Sequence, residues 1–125
     1  MARSTSFVPK IMIVDDEPLI RMYARQIVEE AGYSAVEAAN ADDALQLLAE
    51  DGVTAMVTDV QMPGSMDGLE LARSVKASWP EIAVIVMSGR RLPQQAELPE
   101  NTRFLSKPFS EQRLVDVLAD AVEPS

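Results

Sequence analysis

In Ala55-Met56-Val57-Thr58-Asp59-Val60-Gln61-Met62-Pro63-Gly64 a short apolar run leads into one carboxylate, and a Pro-Gly pair then turns the chain. The pattern is that of a buried strand delivering Asp59 to its C-terminal tip, where a loop begins. Alone it says little, because Asp is a common turn former at strand ends. Its weight comes from the polar groups that the other strand ends carry.

Upstream, Lys10 to Val14 is an apolar run of strand length that ends in Asp15-Asp16-Glu17 with Pro18 behind. An acidic residue before Pro marks a helix start. Leu19, Ile20, Tyr23, Ile27 and Val28 recur at helical spacing up to Gly32. A second strand follows over 33–38, then a helix capped by Asn40 or Asp42 and carrying Ala44, Leu45, Leu47 and Leu48. The third strand is expected over 53–58.

Downstream, Leu69, Leu71, Ala72 and Val75 form a third amphipathic helix that ends before Pro80. Residues 82–87 are the most continuous apolar run and are expected to be the most central strand, ending in Ser88-Gly89. Pro93 and Pro99 break the segment from Arg90 to Asn101, so any helix there is short, irregular or absent. Residues 103–106 form a fifth strand before Lys107-Pro108. Ser110 then caps a last helix with Leu114, Val115, Val117, Leu118 and Val122 on one side.

Strand and helix thus alternate five times, which implies a parallel sheet with helices on both faces. Right-handed crossovers make a doubly wound α/β sheet of order 2-1-3-4-5 the simplest solution. Residues 1–9 are expected to be a flexible arm, and 10–123 one domain.

Composition narrows the chemistry. The 125 residues hold no Cys and no His, which removes disulfides, thiolate or imidazole metal sites, and every His-based triad. A net charge of −9 argues against direct nucleic-acid binding and against an anionic membrane surface. No apolar run approaches the ~20 residues of a spanning helix, and the start lacks the apolar core of a signal peptide. A cytoplasmic location is expected.

In the 2-1-3-4-5 order the strand C-termini share one edge. They bring Asp15 and Asp16 (strand 1), Asp59 (strand 3), Ser88 (strand 4) and Lys107 (strand 5) to one crevice. Crowded carboxylates raise each other's pKa, and a hard divalent cation such as Mg²⁺ relieves this through one or two carboxylates plus water and phosphate oxygens. Lys107 and the Ser88 hydroxyl suit an anion beside that metal, and Gly89 admits it closely. A carboxylate nucleophile, a metal, a Lys and a hydroxyl are the parts for phosphoryl transfer onto an Asp. Singly, each has a simpler reading: a capping cluster at residues 15–17, a turn at Ser88-Gly89, a solvated Lys107, a core Phe104. The conjunction, in this order, carries the inference.

From about Lys10 to Val122 the chain resembles a response-regulator receiver domain of the CheY-like superfamily. The resemblance lies in Ile-Val-Asp15-Asp16-Glu-Pro, in Thr-Asp59-Val-Gln-Met-Pro-Gly with Met-Asp-Gly-Leu-Glu-Leu, in Met-Ser88-Gly, and in Phe104-Leu-Ser-Lys107-Pro-Phe. It implies that Asp59 accepts a phosphoryl group from the phosphohistidine of a histidine kinase or His-phosphotransfer protein. It implies Mg²⁺ on Asp15, Asp16, Asp59 and the backbone carbonyl of Gln61, with Lys107 pairing to the phosphoryl group. Ser88 would bond to that group and let Phe104 swing inward, remodelling the face of helix 4, strand 5 and helix 5 for a downstream protein target.

Three departures stand out. Ser88 replaces the more usual Thr, Ser65 lengthens the loop beside the site by one residue, and Pro residues break the fourth helix. Gln61 and Arg90 are expected to tune the acyl-phosphate lifetime through access of water. A stand-alone switch is expected, promoting only its own phosphorylation and dephosphorylation; a receiver cut from a hybrid histidine kinase is the variant of that reading. A phosphatase of the haloacid-dehalogenase type is the alternative from another class. It wants a second Asp two residues after the nucleophile, where this chain has Gln61. A flavodoxin-like nucleotide binder is poorer, since Asp15-Asp16-Glu17 would repel a phosphate.

Overall fold

The apolar runs of the three inner strands are buried on both faces, and the two edge strands are partly buried. The computed structural model describes residues 8–50, 52–62, 64, 66–89 and 102–122. In chain order these form β1 (Lys10–Val14), α1 (Pro18–Glu30), β2 (Ser34–Ala38), α2 (Ala41–Glu50), β3 (Ala55–Asp59), α3 (Gly68–Ser78), β4 (Ala83–Ser88), β5 (Thr102–Ser106) and α4 (Glu111–Val122). The strands are parallel throughout, in the order β2-β1-β3-β4-β5 expected from the sequence.

Alternation along the strands divides the core in two. Met12, Val14, Met56, Val84 and Val86 face the apolar stripes of α2 and α3, where Ala44, Leu48, Leu71, Ala72 and Val75 are buried. Ile11, Ile13, Val57, Ile85 and Met87 face α1 and α4, meeting Ile27, Val28, Leu114 and Leu118. The first turns of α1 depart from the helical pattern read in the sequence: Leu19 is 77% exposed and Tyr23 44%. Neither belongs to the core clusters, and Tyr23 instead stacks on Phe109.

Local signals set the helix ends. Pro18 opens α1, but Glu17 supplies no side-chain cap. The helix closes through Gly32 at φ +100°, its N–H donating to the Glu29 carbonyl and that of Tyr33 to the Val28 carbonyl, an arrangement a residue with a Cβ adopts poorly. Asn40, not Asp42, caps α2, accepting from the Asp43 N–H at 2.8 Å. Asp67 and Glu70 form a reciprocal capping box at the start of α3. Ser110 accepts from the Arg113 N–H to cap α4.

Two strand expectations are corrected. The middle position belongs to β3, with β4 beside it. A continuous apolar run reports coverage of both faces, which the three inner strands share, and not rank within the sheet. The ladders also extend past the apolar runs, so Asp59 pairs with Met87 and Ser88 with Ser106. Backbone pairing is indifferent to a polar side chain, and both groups are therefore fixed by the sheet and not left on loops. Residues 1–7 of the expected arm, the inserted Ser65, and Arg90 with the rest of the segment to Asn101 lie outside the described residues.

Candidate functional site

Asp15 follows directly on β1 and is fully buried. Its N–H still reaches the β2 carbonyl of Ala38 at 3.1 Å. Its Oδ1 accepts the N–H of Glu17 at 2.9 Å, which fixes the carboxylate. Asp16 beside it is exposed. Asp59, the last residue of β3, is 8% exposed. One oxygen from each of these three carboxylates lies within 4.8 Å of the others.

Lys107 leaves β5 with its N–H donating to the Ser88 carbonyl at 2.9 Å. Its side chain enters the cluster, with Nζ 3.0 Å from Asp15 Oδ2 and 3.4 Å from Asp59 Oδ1. Asp15 Oδ2 is buried, and the Lys107 ammonium 3.0 Å away is the charge that faces it among the described residues. Asp16, Glu17, Asp59, Gln61, Ser88, Gly89 and Lys107 line a cleft of about 290 Å³ over the group. The five residues that sequence analysis placed at one sheet edge therefore share one site.

The electrostatics follow from that crowding. Burial pushes the Asp59 carboxyl above its ordinary range; the Lys107 charge pulls it back, and Asp15 and Asp16 push it further up. Burial also presses the Lys107 ammonium down, but Asp15 and Asp59 together outweigh that and hold it above its usual value. Three carboxylates against one ammonium leave an excess of negative charge. That excess and the hard oxygen donors, the buried Asp15 Oδ2 among them, fit a divalent cation.

Glycine allows the close packing behind Asp59. A Cβ at Gly68 would overlap the Asp59 carbonyl oxygen and crowd the Val60 Cα, and the Gly68 N–H donates to the Val60 carbonyl at 2.8 Å. The start of α3 is thereby pressed onto the acceptor strand. Gly68→Ala is expected to destabilise the fold by about 1–3 kcal/mol through overpacking. Urea unfolding checks this against Gly52→Ala, where nothing lies within 4 Å of the added methyl.

Other expected site residues are less engaged. Gln61 is exposed at the cleft rim, and Arg90 lies outside the described residues. Phe104, simplest as a core residue, is only partly buried and belongs to neither core cluster. By register with Val86 it shares the α3 face of the sheet. Sequence analysis missed Arg21 and Glu37, which meet behind the Asp15 loop at 3.0 Å. The only signal was a charged residue inside the short second strand.

The family model described as "Response regulator receiver domain" matches residues 11–119. The nitrogen assimilation regulatory protein NtrX of Azorhizobium caulinodans is 38% identical over 117 residues, covering 90% of this chain and 26% of that protein. Sporulation initiation phosphotransferase F of Bacillus subtilis is 32% identical over 118 residues, covering 91% of this chain and 90% of its own length. The chain spans only about a quarter of the first curated relatives it matches.

Among solved structures, the receiver domain of an HD domain-containing protein from Pseudomonas fluorescens Pf-5 superposes with a TM-score of 0.84 at 29% identity, covering 94% of this chain and 96% of that one. The receiver domain of the hybrid histidine kinase CckA does so with a TM-score of 0.78 at 26% identity, covering 91% and 99%. Among the described residues no helix is long and apolar enough to cross a membrane. With its sheet order, its acidic edge and the family model agreeing over nearly its whole length, the chain belongs to the response regulator receiver domains, the phosphoacceptor modules of two-component signalling.

Proposed function

We propose that Asp59 is the phosphoacceptor and that Asp15, Asp16 and Asp59, with the backbone carbonyl of Gln61, hold Mg²⁺. The observation that carries this reading is the meeting of three carboxylates and Lys107 around one cleft, with Asp15 Oδ2 buried against the Lys107 ammonium. Bound Mg²⁺ supplies charge neutralisation for the phosphoryl oxygens. A carboxylate oxygen of Asp59 forms the new P–O bond as the P–N bond of a partner phosphohistidine breaks, and the released imidazole nitrogen keeps its own electron pair. Ladder pairing of Asp59 with Met87 holds the nucleophile still during the transfer. Lys107, drawn in by Asp15 and Asp59, stabilises the transferred charge, and the Ser88 hydroxyl, 7% exposed as a residue, bonds to it.

The donor is a histidine kinase or His-phosphotransfer protein; residues 1–125 hold no His, so the phosphohistidine lies outside them. Output runs through protein contacts made by β5, α4 and the segment 90–101, with Ser88 and Phe104 as the switch pair; the charge of −9 supports protein over nucleic acid. Gln61 at the cleft rim, with Arg90, governs water access and so the lifetime of the acyl phosphate. Gln61 offers no acid to a leaving group, which supports a switch over a turnover phosphatase. The similarity to CckA, 34% identical over 122 residues in Brucella abortus and 12% of that protein's length, supports a hybrid-kinase setting as the second reading.

Incubation with acetyl phosphate followed by intact mass tests the proposal. The expected result is a gain of one phosphoryl group that requires Mg²⁺ and maps to the peptide holding Asp59. A modification elsewhere, or one indifferent to EDTA, would overturn it.

A further inference from the structure

We infer that Arg21 is a positioning residue for the acidic cluster, setting its Mg²⁺ affinity by clamping the main chain of Asp15. The inference rests on the reading of that cluster as a Mg²⁺ site. β1 ends at Val14 in both of its ladders, so the next carbonyl, that of Asp15, is past the sheet. Arg21 Nη1 donates to it at 2.7 Å. Helical side chains lean toward the N-terminus, so a residue in the first turns of α1 reaches back over the loop that precedes the helix.

The guanidinium is itself anchored. Arg21 Nε donates to Glu37 Oε1 at 3.0 Å, and Arg25 Nη1 donates to Glu37 Oε2 at 2.9 Å. Glu37 precedes Ala38, whose carbonyl receives the Asp15 N–H. The N–H and C=O of Asp15 are therefore both tied to the end of β2, one directly and one through Arg21. With Oδ1 fixed by the Glu17 N–H, the direction of Oδ2 is set by these bonds.

A solvated ion pair is the plainer account of Arg21 and Glu37, and such pairs contribute little. It does not cover Arg21, whose side chain is 18% exposed against 42% for Arg25 and which alone of the two reaches Asp15. Nor is the role one of charge. A nearby cation repels Mg²⁺, so charge alone predicts tighter binding once Arg21 is removed, whereas positioning predicts weaker binding. The two accounts differ in sign.

Mg²⁺ titration of the metal-free chain, by calorimetry and by thermal midpoint, separates them. Arg21→Met is expected to bind Mg²⁺ at least tenfold more weakly than the parent, the usual cost of losing a group that orients a ligand. Arg21→Lys keeps the charge but not the two-pronged donor, and is expected to weaken binding several-fold; it serves also if the Met variant does not fold. Arg103→Met, which removes a cation paired with Asp120 and not with the cluster or its anchor, is expected to stay within twofold. Binding by both Arg21 variants within twofold of the parent, or tighter, overturns the inference while leaving the metal site standing. A parent chain with no Mg²⁺ response overturns the metal reading and this inference with it.

Discussion

Asp59→Asn is expected to take up no phosphoryl group from acetyl phosphate and yet to unfold at a higher temperature than the parent in metal-free buffer at neutral pH. The first half follows from the nucleophile: an amide oxygen does not form the acyl phosphate. The second follows from where the carboxylate sits. Asp59 is 8% exposed, beside two other carboxylates, and its pKa is raised by burial first and by Asp15 and Asp16 after it, against the pull of Lys107. A group whose folded pKa lies above its unfolded one binds more protons in the folded state. Its favourable contribution is present at low pH and is lost as pH rises from its ordinary 3.8 through the raised folded value.

At neutral pH the ionised Asp59 is therefore a net cost of folding, and Asn removes it. Replacements that relieve a strained functional site commonly return about 0.5–2 kcal/mol, a few degrees in midpoint for a domain of this size. The advantage of the variant over the parent should shrink as pH falls toward the ordinary carboxylate range and the folded parent takes up its proton. Added Mg²⁺ should narrow it too. Binding to the folded parent at ten times Kd contributes about 1.4 kcal/mol, and the variant has lost one ligand. Thermal unfolding at three pH values, with EDTA or Mg²⁺, reads all of this. A midpoint below that of the parent in EDTA at neutral pH would sink the account of the strained carboxylate, and undiminished labelling would sink the acceptor.

How much of this was legible in the sequence depends on which residues were asked. The sheet order could be read because covered strands show as uninterrupted apolar runs and the connections are too short for other windings. The Asp15, Asp59, Ser88 and Lys107 constellation was legible because each stands one or two residues past a short apolar run. Ladder ends were not, since backbone pairing carries Asp59 and Ser88 into the sheet without any apolar signal. Nor was the Arg21–Glu37 pair, because a charged residue in a short strand looks the same whether it faces water or a partner 16 positions away. Gly68 stood in plain view as part of a motif, but its need to be Gly comes from the Asp59 carbonyl, a contact that only the packing of α3 on β3 creates. Tyr23 is similar: helical spacing suggested an inward residue, whereas it is 44% exposed and its ring lies 5.6 Å from that of the buried Phe109.

Lys107→Met should show the opposite coupling of stability and activity. Met keeps much of the aliphatic stem and removes the charge and its donors, leaving Asp15 Oδ2 and Asp59 Oδ1 without the ammonium that lies 3.0 and 3.4 Å away. Asp15 is fully buried, so its charge is uncompensated in a region of low dielectric. Breaking a buried pair from one side costs about 3 kcal/mol or more. Because Lys107 titrates above its ordinary 10.5, that contribution is present across the neutral range and is lost only as pH rises through the higher value. Urea unfolding in EDTA at pH 7 should therefore place the variant about 3 kcal/mol below the parent. Saturating Mg²⁺ should recover much of the gap, since a divalent ion replaces the missing charge beside the same carboxylates. Phosphorylation should not recover with it. The ammonium serves the transferred group as well as the resting cluster, and losing one such contact costs about 10²–10³ in rate. A variant that Mg²⁺ stabilises but does not reactivate separates the two duties of Lys107. A rate within threefold of the parent under the same Mg²⁺ would instead confine Lys107 to holding the carboxylates together.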